Sequence, residues 1–431
     1  TTKAVPNHWK EVPTQLLTSG DDRIIKFWDV SLSMGTTSPI AGGLDTLTPF
    51  SSSTPNAILP MEQIGSQVPG LVKPLLSLHT DHHGNVFHIT PIPSDKGKII
   101  SCAADGFVRL ADVEIHALSS SSSSFPNRRS TSHTPTSIII SPEYDDTSGS
   151  SSLSPLLRPG MCFSHVLLNS HVGLVCSERG LRKFDVRLPP REQQRWSCLM
   201  TGEGGRRNGG GGGEVQTCKA CAVWKGGGNG GEGEENLESS YVFAGGSSAD
   251  VALYDLRMSS SSSSPSRIVQ RYRPQHLNGS NNSSVSVSGI DVSKDQRELL
   301  VSYENDQIFT FPIFPKSSSP AGPTLEELST YSNLYHSNGA ASDSNENDDD
   351  DNDDSRKSNM ILPELAAYGG HLNRYTFLKM AKYAGPNDEY ICTGSDSGHA
   401  WIYERSTGAV VFLLKADNST CNGVVPHPSL P

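Results

Sequence analysis

The chain alternates short apolar runs with tight polar turns, and one such pattern recurs along its length. In the segment 16–29, Leu16 and Leu17 begin a β-prone run, residues 19–22 supply turn chemistry, and Ile24 to Trp28 form a second run. Each copy therefore predicts two strands joined by a turn, which together form a β-hairpin. The copies lie at 16–29, 99–112, 173–187, 241–257, 299–311 and 390–404.

A single hairpin cannot bury its apolar faces, so a chain that repeats the hairpin must stack the copies against one another. Repeats of about 40 residues that end in an aromatic and an acidic residue are typical of propeller blades. The aromatic position holds Trp28, Phe184, Tyr254, Phe311 and Tyr403, with Ala111 as the exception. The chain thus resembles the WD-repeat superfamily. The resemblance implies an all-β fold, a WD-repeat β-propeller with six recognisable blades plus the start of a seventh.

Low-complexity segments rich in Ser, Gly, Pro or Asp separate the repeats. Such sequence cannot bury enough apolar surface to offset its ordering entropy, so we predict long disordered insertions. We expect one propeller domain over residues 1–431, because loop closure entropy grows only slowly with loop length. We also expect the propeller to be truncated at both ends of the chain. The predicted insertions are at about 31–70, 117–155, 203–213, 226–239, 258–266 and 316–359.

The formal net charge of −11 is concentrated in one acidic tract. Residues 343–354 carry eight carboxylates, so the rest of the chain has a net charge of −3. The paired arginines at 128–129 and 206–207 are isolated, and we therefore predict no nucleic-acid partner. No segment reaches the roughly 20 apolar residues of a membrane span, and the first residues lack the apolar core of a signal peptide. We expect no membrane association and an intracellular location, in the nucleus or the cytoplasm.

The eight cysteines raise the possibility of a metal site. Cys218 and Cys221 form a CxxC motif, but they lie in an apolar run, 215–224, that predicts a strand. Residues i and i+3 of a strand face opposite sides, so we predict no metal there. Cys102, Cys176 and Cys392 are predicted to be buried thiols. Neither a nucleophile–base pair nor a phosphate-binding loop is apparent, which predicts a protein without a cofactor that is not an enzyme.

Several polar residues occupy positions that order a blade in the WD-repeat superfamily. His82 precedes a strand that begins near residue 85, and His371 precedes a strand predicted at 375–380. The resemblance implies that these histidines form hydrogen bonds with the acidic residues of the following turns, Asp105 and Asp396. The resemblance likewise implies that Asp21 and Trp28 are the corresponding structural residues of the first repeat.

Two consecutive repeats end in aromatic-Asp-x-Arg, at 184–187 and 254–257. This ending resembles the box by which WD-repeat substrate receptors bind the adaptor of cullin 4 ubiquitin ligases, although Phe184 and Tyr254 replace its Trp. Arg179 also replaces the acidic residue that is usual in the turn of this box. The resemblance implies that Asp185, Arg187, Asp255 and Arg257 bind the adaptor. Further segments that are similar to the adaptor-associated factors, including the branch with tetratricopeptide repeats, are 82–87, 102–109, 306–311, 393–399 and 426–431.

Two functions are compatible with these features. The first is a substrate receptor of a cullin 4 RING ubiquitin ligase, whose partners are the adaptor and a protein to be ubiquitinated. The second is a WD-repeat scaffold for another multiprotein complex, without catalytic activity. A propeller fold by itself does not distinguish the two.

Overall fold

A computed structural model describes residues 15–29, 74–113, 136–141, 160–193, 217–225, 241–257, 268–278, 284–314, 361–376 and 378–427. In these residues the chain forms six β-sheets that follow one another along the sequence. The sheets are the six blades of a β-propeller ring. The six hairpins predicted from the repeats are therefore confirmed.

The first three blades are built from meandering antiparallel strands. They contain β1 (Gln15–Thr18), β2 (Ile24–Asp29) and β3 (Leu76–His79), then β4 (Val86–Ile92), β5 (Asp95–Ala103), β6 (Val108–Asp112) and β7 (Thr136–Ile140), then β8 (Cys162–Leu167), β9 (Val172–Ser177) and β10 (Gly180–Asp185). A single turn of helix, α1 (Pro190–Gln193), follows β10.

The other three blades have the same antiparallel arrangement. They contain β11 (Cys218–Trp224), β12 (Tyr241–Gly246), β13 (Val251–Asp255) and β14 (Ile268–Tyr272), then β15 (Ser286–Val292), β16 (Glu298–Glu304), β17 (Ile308–Pro312) and β19 (Ala366–Tyr368), then β20 (Lys382–Ala384), β21 (Tyr390–Thr393), β22 (His399–Glu404) and β23 (Val410–Lys415). The short strand β18 (Ile361–Leu362) adds to β14 in parallel. Gln275–Leu277 forms a 3-10 turn.

The hydrophobic core lies between the blades rather than within any one of them. Each of five buried clusters draws its side chains from two consecutive blades, from the first pair to the last. Phe184, for example, packs with Ile100 and Val108 of the preceding blade. Burying a side chain of this size stabilises the fold by about 1.5–3 kcal/mol, which explains why the repeat keeps an aromatic residue at this position. The innermost strands β4, β8, β11, β15 and β20 contact one another in succession.

Two sequence predictions about strands need correction. The predicted insertion 117–155 contains β7, the fourth strand of its blade, because Ile139 and Ile140 bury against the next blade. The strand predicted at 375–380 lies instead at Lys382–Ala384. The backbone N–H groups of Arg374 and Tyr375 donate to the carboxylate of Asp396 and not to a strand ladder.

The other predicted insertions lie outside the described residues. Residues 416–427 follow β23 without a further strand, so the described chain contains no start of a seventh blade. Within the described residues the α-helix is one turn long, and no helix there is long and apolar enough to cross a membrane.

The alternation of strand direction gives the ring two distinct faces. We define the lower face as the one at which the third strand of each blade ends, and the upper face as the one at which it begins. These third strands are β6, β10, β13, β17 and β22. Asp185, Asp255 and Glu404 are the last residues of such strands and lie at the lower face. The turns that contain Asp105 and Asp396 lie at the upper face.

Candidate functional site

The two aromatic-Asp-x-Arg endings lie side by side on the lower face. Asp185 ends β10 in the third blade and Asp255 ends β13 in the fourth, and each is followed by a turn that contains the arginine. Because the third strands of consecutive blades run in the same direction around the ring, both arginines emerge on one surface. The structure therefore places the four residues on the same face of two adjacent blades.

Arg187 is held by the carboxylate of its own motif. Its backbone N–H and its Nε–H both donate to Oδ1 of Asp185 at 2.9 Å, and Nη2 donates to Oδ2. Asp185 is buried, whereas the Arg187 side chain is 61% exposed. The hydrogen bond from Arg187 lowers the pKa of Asp185, so this carboxylate stays ionised at neutral pH. One edge of the guanidinium is thus fixed, and the rest of it faces the surroundings.

Arg257 repeats this arrangement and adds an aromatic partner. Its backbone N–H and Nε–H donate to Oδ1 of the buried Asp255 at 2.9 and 3.0 Å. Nη2 also donates to the hydroxyl of Tyr241, and the guanidinium carbon lies 5.0 Å from the centre of the Tyr241 ring. The side chain nevertheless remains 56% exposed. A cation over a ring gains further attraction, so Arg257 has one more restraint than Arg187.

In the third blade, a side chain of α1 also forms hydrogen bonds with the aromatic-Asp-x-Arg motif. Gln193 in α1 accepts a hydrogen bond from the backbone N–H of Asp185 at 3.0 Å and donates to the carbonyls of Asp185 and Leu188. Gln193 is buried by this contact. Sequence reasoning missed it, because a single helical turn carries no periodic pattern long enough to detect.

This arrangement suits protein recognition. An arginine that is already oriented loses less side-chain entropy when it docks than a freely rotating one. Its planar fork can then donate to carboxylates or carbonyls of a partner. In the described residues, no three His, Cys, Asp or Glu side chains stand in a geometry that could hold a metal ion.

The predicted structural residues of the second blade form a hydrogen-bonded chain on the upper face. Nδ1 of His82 lies 3.1 Å from both carboxylate oxygens of Asp105, and Nε2 lies 2.9 Å from the hydroxyl of Ser101. The backbone N–H groups of His83 and Phe107 also donate to Asp105. Burial raises the pKa of Asp105, but these hydrogen bonds outweigh it and the net shift is downward.

In the first blade, Asp22 forms the turn contact that was predicted for Asp21. Nε1 of Trp28 donates to the hydroxyl of Thr18 at 2.8 Å. Asp21 is exposed in the turn, and it is Asp22 that accepts the backbone N–H of Ile24. Asp22 precedes Trp28 by the same number of residues as Asp105 precedes Ala111, so the repeat aligns on Asp22. Two adjacent aspartates made this choice ambiguous from the sequence.

The last blade departs from the predicted pairing of His371 with Asp396. Nδ1 of His371 lies 3.1 Å from the hydroxyl of Tyr403, which itself donates to the carbonyl of Gly369. Asp396 instead forms an ion pair with Lys379, and both side chains are fully buried. Burial lowers the pKa of Lys379, while its hydrogen bond to Asp396 opposes that effect. A lysine in an apolar run gives no sequence signal that it is buried.

The prediction that Cys218 and Cys221 face opposite sides of a strand is wrong. A β-bulge between Cys218 and Ala220 shifts the register, so both thiols lie with Cys176 in the cluster between the third and fourth blades. An inserted residue reverses the alternation of side chains beyond it. The seven cysteines of the described residues are free thiols.

Comparisons with known proteins find short local similarity. A segment of 62 residues is 44% identical to WD and tetratricopeptide repeats protein 1 of Homo sapiens, covering 14% of this chain and 9% of that protein. A segment of 61 residues is 43% identical to DDB1- and CUL4-associated factor 6 of Homo sapiens, covering 14% and 7%. A segment of the same length is 41% identical to Protein ALTERED SEED GERMINATION 2 of Arabidopsis thaliana, covering 14% and 8%. The chain thus spans less than a tenth of the length of each of these relatives.

No family model matches the chain. Among solved structures, it is similar to the β-propeller domain of Cps50 (Swd1) from Myceliophteria thermophila, with a TM-score of 0.49 and 12% identity. That likeness covers 99% of this chain and 92% of the other. The chain is a β-propeller that shows local similarity to WD-repeat proteins.

Proposed function

We propose that this chain is the substrate receptor of a cullin 4 RING ubiquitin ligase and docks on the ligase adaptor through Arg187 and Arg257. The observation that carries the proposal is the pair of exposed arginines on adjacent blades of one face, each oriented by a buried aspartate. Arginine is one of the residue types that are enriched among the side chains that contribute most to binding at protein interfaces.

One of the relatives supports the same function. The name of DDB1- and CUL4-associated factor 6 associates that protein with DDB1 and CUL4. Its similarity to this chain covers 61 residues. The recruited protein would bind elsewhere on the ring, inside the cell and without nucleic acid or membrane.

A scaffold for another complex is the second candidate. It is favoured by an apolar area on the upper face, where Tyr375 is 83% exposed and Leu372 is 42% exposed. Exposed apolar side chains that lie close together are typical of protein contact sites. This area serves equally well to hold the protein that a ligase modifies, so the adaptor experiment decides between the two candidates.

The experiment compares adaptor binding by the wild type and by Arg187→Ala/Arg257→Ala. Losing an interface anchor typically costs about 2 kcal/mol or more, so the double variant should bind the adaptor more than tenfold weaker. Arg374→Ala is the matched control, because Arg374 is an exposed arginine of the upper face. It should bind like the wild type.

Thermal unfolding must accompany the binding measurement. Each Ala removes the arginine from a buried carboxylate, but the arginines are more than half exposed, so we expect only a small loss of stability at each site. Unchanged adaptor binding by the folded double variant, or no binding by the wild type, would favour the scaffold.

A further inference from the structure

One loop of the upper face presents exposed side chains from a hydrogen-bonded backbone. It spans residues 371–376, between β19 and β20. Asn373 is buried in this loop, whereas Leu372 is 42% exposed and Tyr375 is 83% exposed. Arg374 is exposed as well. The proposed adaptor contact lies on the opposite face and makes no use of these side chains.

The turn between β21 and β22 holds the loop to the sixth blade. Oδ2 of Asp396 accepts the backbone N–H groups of Arg374 at 2.6 Å and Tyr375 at 2.9 Å. The hydroxyl of Ser395 accepts the backbone N–H of Leu372 at 3.0 Å. The carbonyl of Leu372 in turn accepts the backbone N–H of Asp396 at 2.9 Å. The backbone at all three exposed positions is therefore fixed.

Asn373 connects the same loop to the fifth blade. Its Nδ2 donates to the hydroxyl of Ser288 and to the carbonyl of Tyr303, both at 2.9 Å. Its own carbonyl accepts the backbone N–H of Asn305 at 2.8 Å. A loop that is fixed before binding loses little conformational entropy when a partner docks on it, so more of the contact energy contributes to affinity.

The exposed side chains are of types that contribute strongly to protein interfaces. Tyrosine and arginine are enriched among the residues whose loss most weakens binding. Because Tyr375 is 83% exposed, its ring adds little to the packing of the blades. A ring of this size gains most when a partner covers it, and Leu372 offers aliphatic surface in the same loop.

The charge of the loop indicates the chemistry of the partner. Arg374 forms no ion pair with any residue that the structure describes. The two turns that hold the loop contain the carboxylates of Asp396 and Asp306, and both already have donors. Asp396 is fully buried against Lys379, and Asp306 accepts a hydrogen bond from Nε2 of His276 at 2.7 Å. A carboxylate supplied by a partner would therefore complement Arg374.

We propose that this loop binds a segment of a partner protein in which an acidic residue is adjacent to an apolar one. The carboxylate of the segment accepts hydrogen bonds from the guanidinium of Arg374, and the apolar side chain packs on Tyr375 and Leu372. The contact goes beyond the proposed function, because it lies on the upper face and does not depend on adaptor binding.

The test is a titration of the full chain, labelled at Leu methyl groups, followed by NMR. The probe is a terminally blocked Ala-Glu-Leu-Ala peptide, and the control peptide carries Gln in place of Glu, which keeps the shape and removes the charge. The Glu peptide should shift the Leu372 methyl signals saturably and bind about threefold tighter than the Gln peptide, as expected for an exposed ion pair. Raising the salt concentration should reduce this preference, because salt screens exposed charges.

Variants separate the contribution of the charge from that of the apolar surface. Arg374→Gln should bind the two peptides equally, because the preference for Glu arises from the guanidinium. Tyr375→Ala should weaken binding of both peptides by the same factor and keep the preference. Lys225→Gln is the matched control, because Lys225 is an exposed cation that follows β11 on the lower face. It should bind both peptides like the wild type.

The Leu174 and Leu181 methyl signals report whether the variants are folded, since both residues are buried in the third blade. Four results would each overturn the proposal: equal binding of the two peptides by the wild type, a preference for Glu that persists in folded Arg374→Gln, undiminished binding by folded Tyr375→Ala, or no saturable shift at Leu372.

Discussion

His371 is a buried histidine that the fold keeps neutral. The hydroxyl of Tyr403 donates to Gly369 and therefore accepts from Nδ1 of His371. Nε2 of the ring is buried and has no hydrogen-bond partner among the described residues. Burial lowers the pKa of His371 from 6.5 to about 4, and the positive charge of Lys379 adds to the effect. A proton on this ring would have neither water nor an acceptor to stabilise it.

This environment predicts a specific pH dependence of stability. The folded-state pKa lies below the unfolded one, so the unfolded state binds the proton first as the pH falls. Stability due to His371 is complete above about pH 6.5 and is lost progressively towards pH 4. Between pH 7.5 and 4.5 the wild type should lose about 2–3 kcal/mol more than His371→Gln in urea unfolding. Equal losses of stability in the wild type and in His371→Gln would show that the imidazole of His371 is not kept neutral.

At the scale of the element, the bulge in β11 places Cys218 and Cys221 beside the buried Cys176. Cys176 is fully buried, and burial raises its pKa well above the usual value; the same holds for Cys102. A thiol attacks as the thiolate, so a raised pKa together with burial suppresses reaction. Cys102 and Cys176 are therefore packing residues of the blades.

Alkylation of the native chain checks this interpretation. At neutral pH, iodoacetamide should leave Cys102 and Cys176 unmodified, and both should be modified once urea unfolds the chain. Peptide mass spectrometry assigns the label to each residue. Rapid modification of Cys176 in the folded chain would mean that the interface between the third and fourth blades opens.

The sequence predicted the hairpins well, because turn residues between β-prone runs are a local signal. The sequence did not predict the features that depend on tertiary contacts. The β7 strand was hidden in Ser-rich sequence and forms because Ile139 and Ile140 reach the next blade. The bulge at Cys218 and the displaced strand β20 depend on partners distant in sequence. At the site, the motif predicted the position of Arg187 and Arg257, but their pairing with Asp185 and Asp255 required the structure.

At the scale of the whole molecule, the two faces of the ring carry different charged and apolar groups. The lower face has fixed cations on the third and fourth blades and an acidic cavity between the fifth and sixth. The upper face has the hydrogen-bonded chain of His82 and the exposed Tyr375. If the proposed function is right, the lower face would bind the adaptor and the upper face would stay available to a second protein.

Hydrogen–deuterium exchange of the chain with and without the purified ligase adaptor tests the docking proposal most directly. Adaptor binding should slow exchange in the peptides that cover 185–193 and 254–257, because those backbone segments carry the arginines of the lower face. Peptides that cover 371–376 and 395–400 on the upper face should exchange at the same rate in both states. Protection confined to the upper face, or no protection anywhere in the presence of the adaptor, would contradict the proposal.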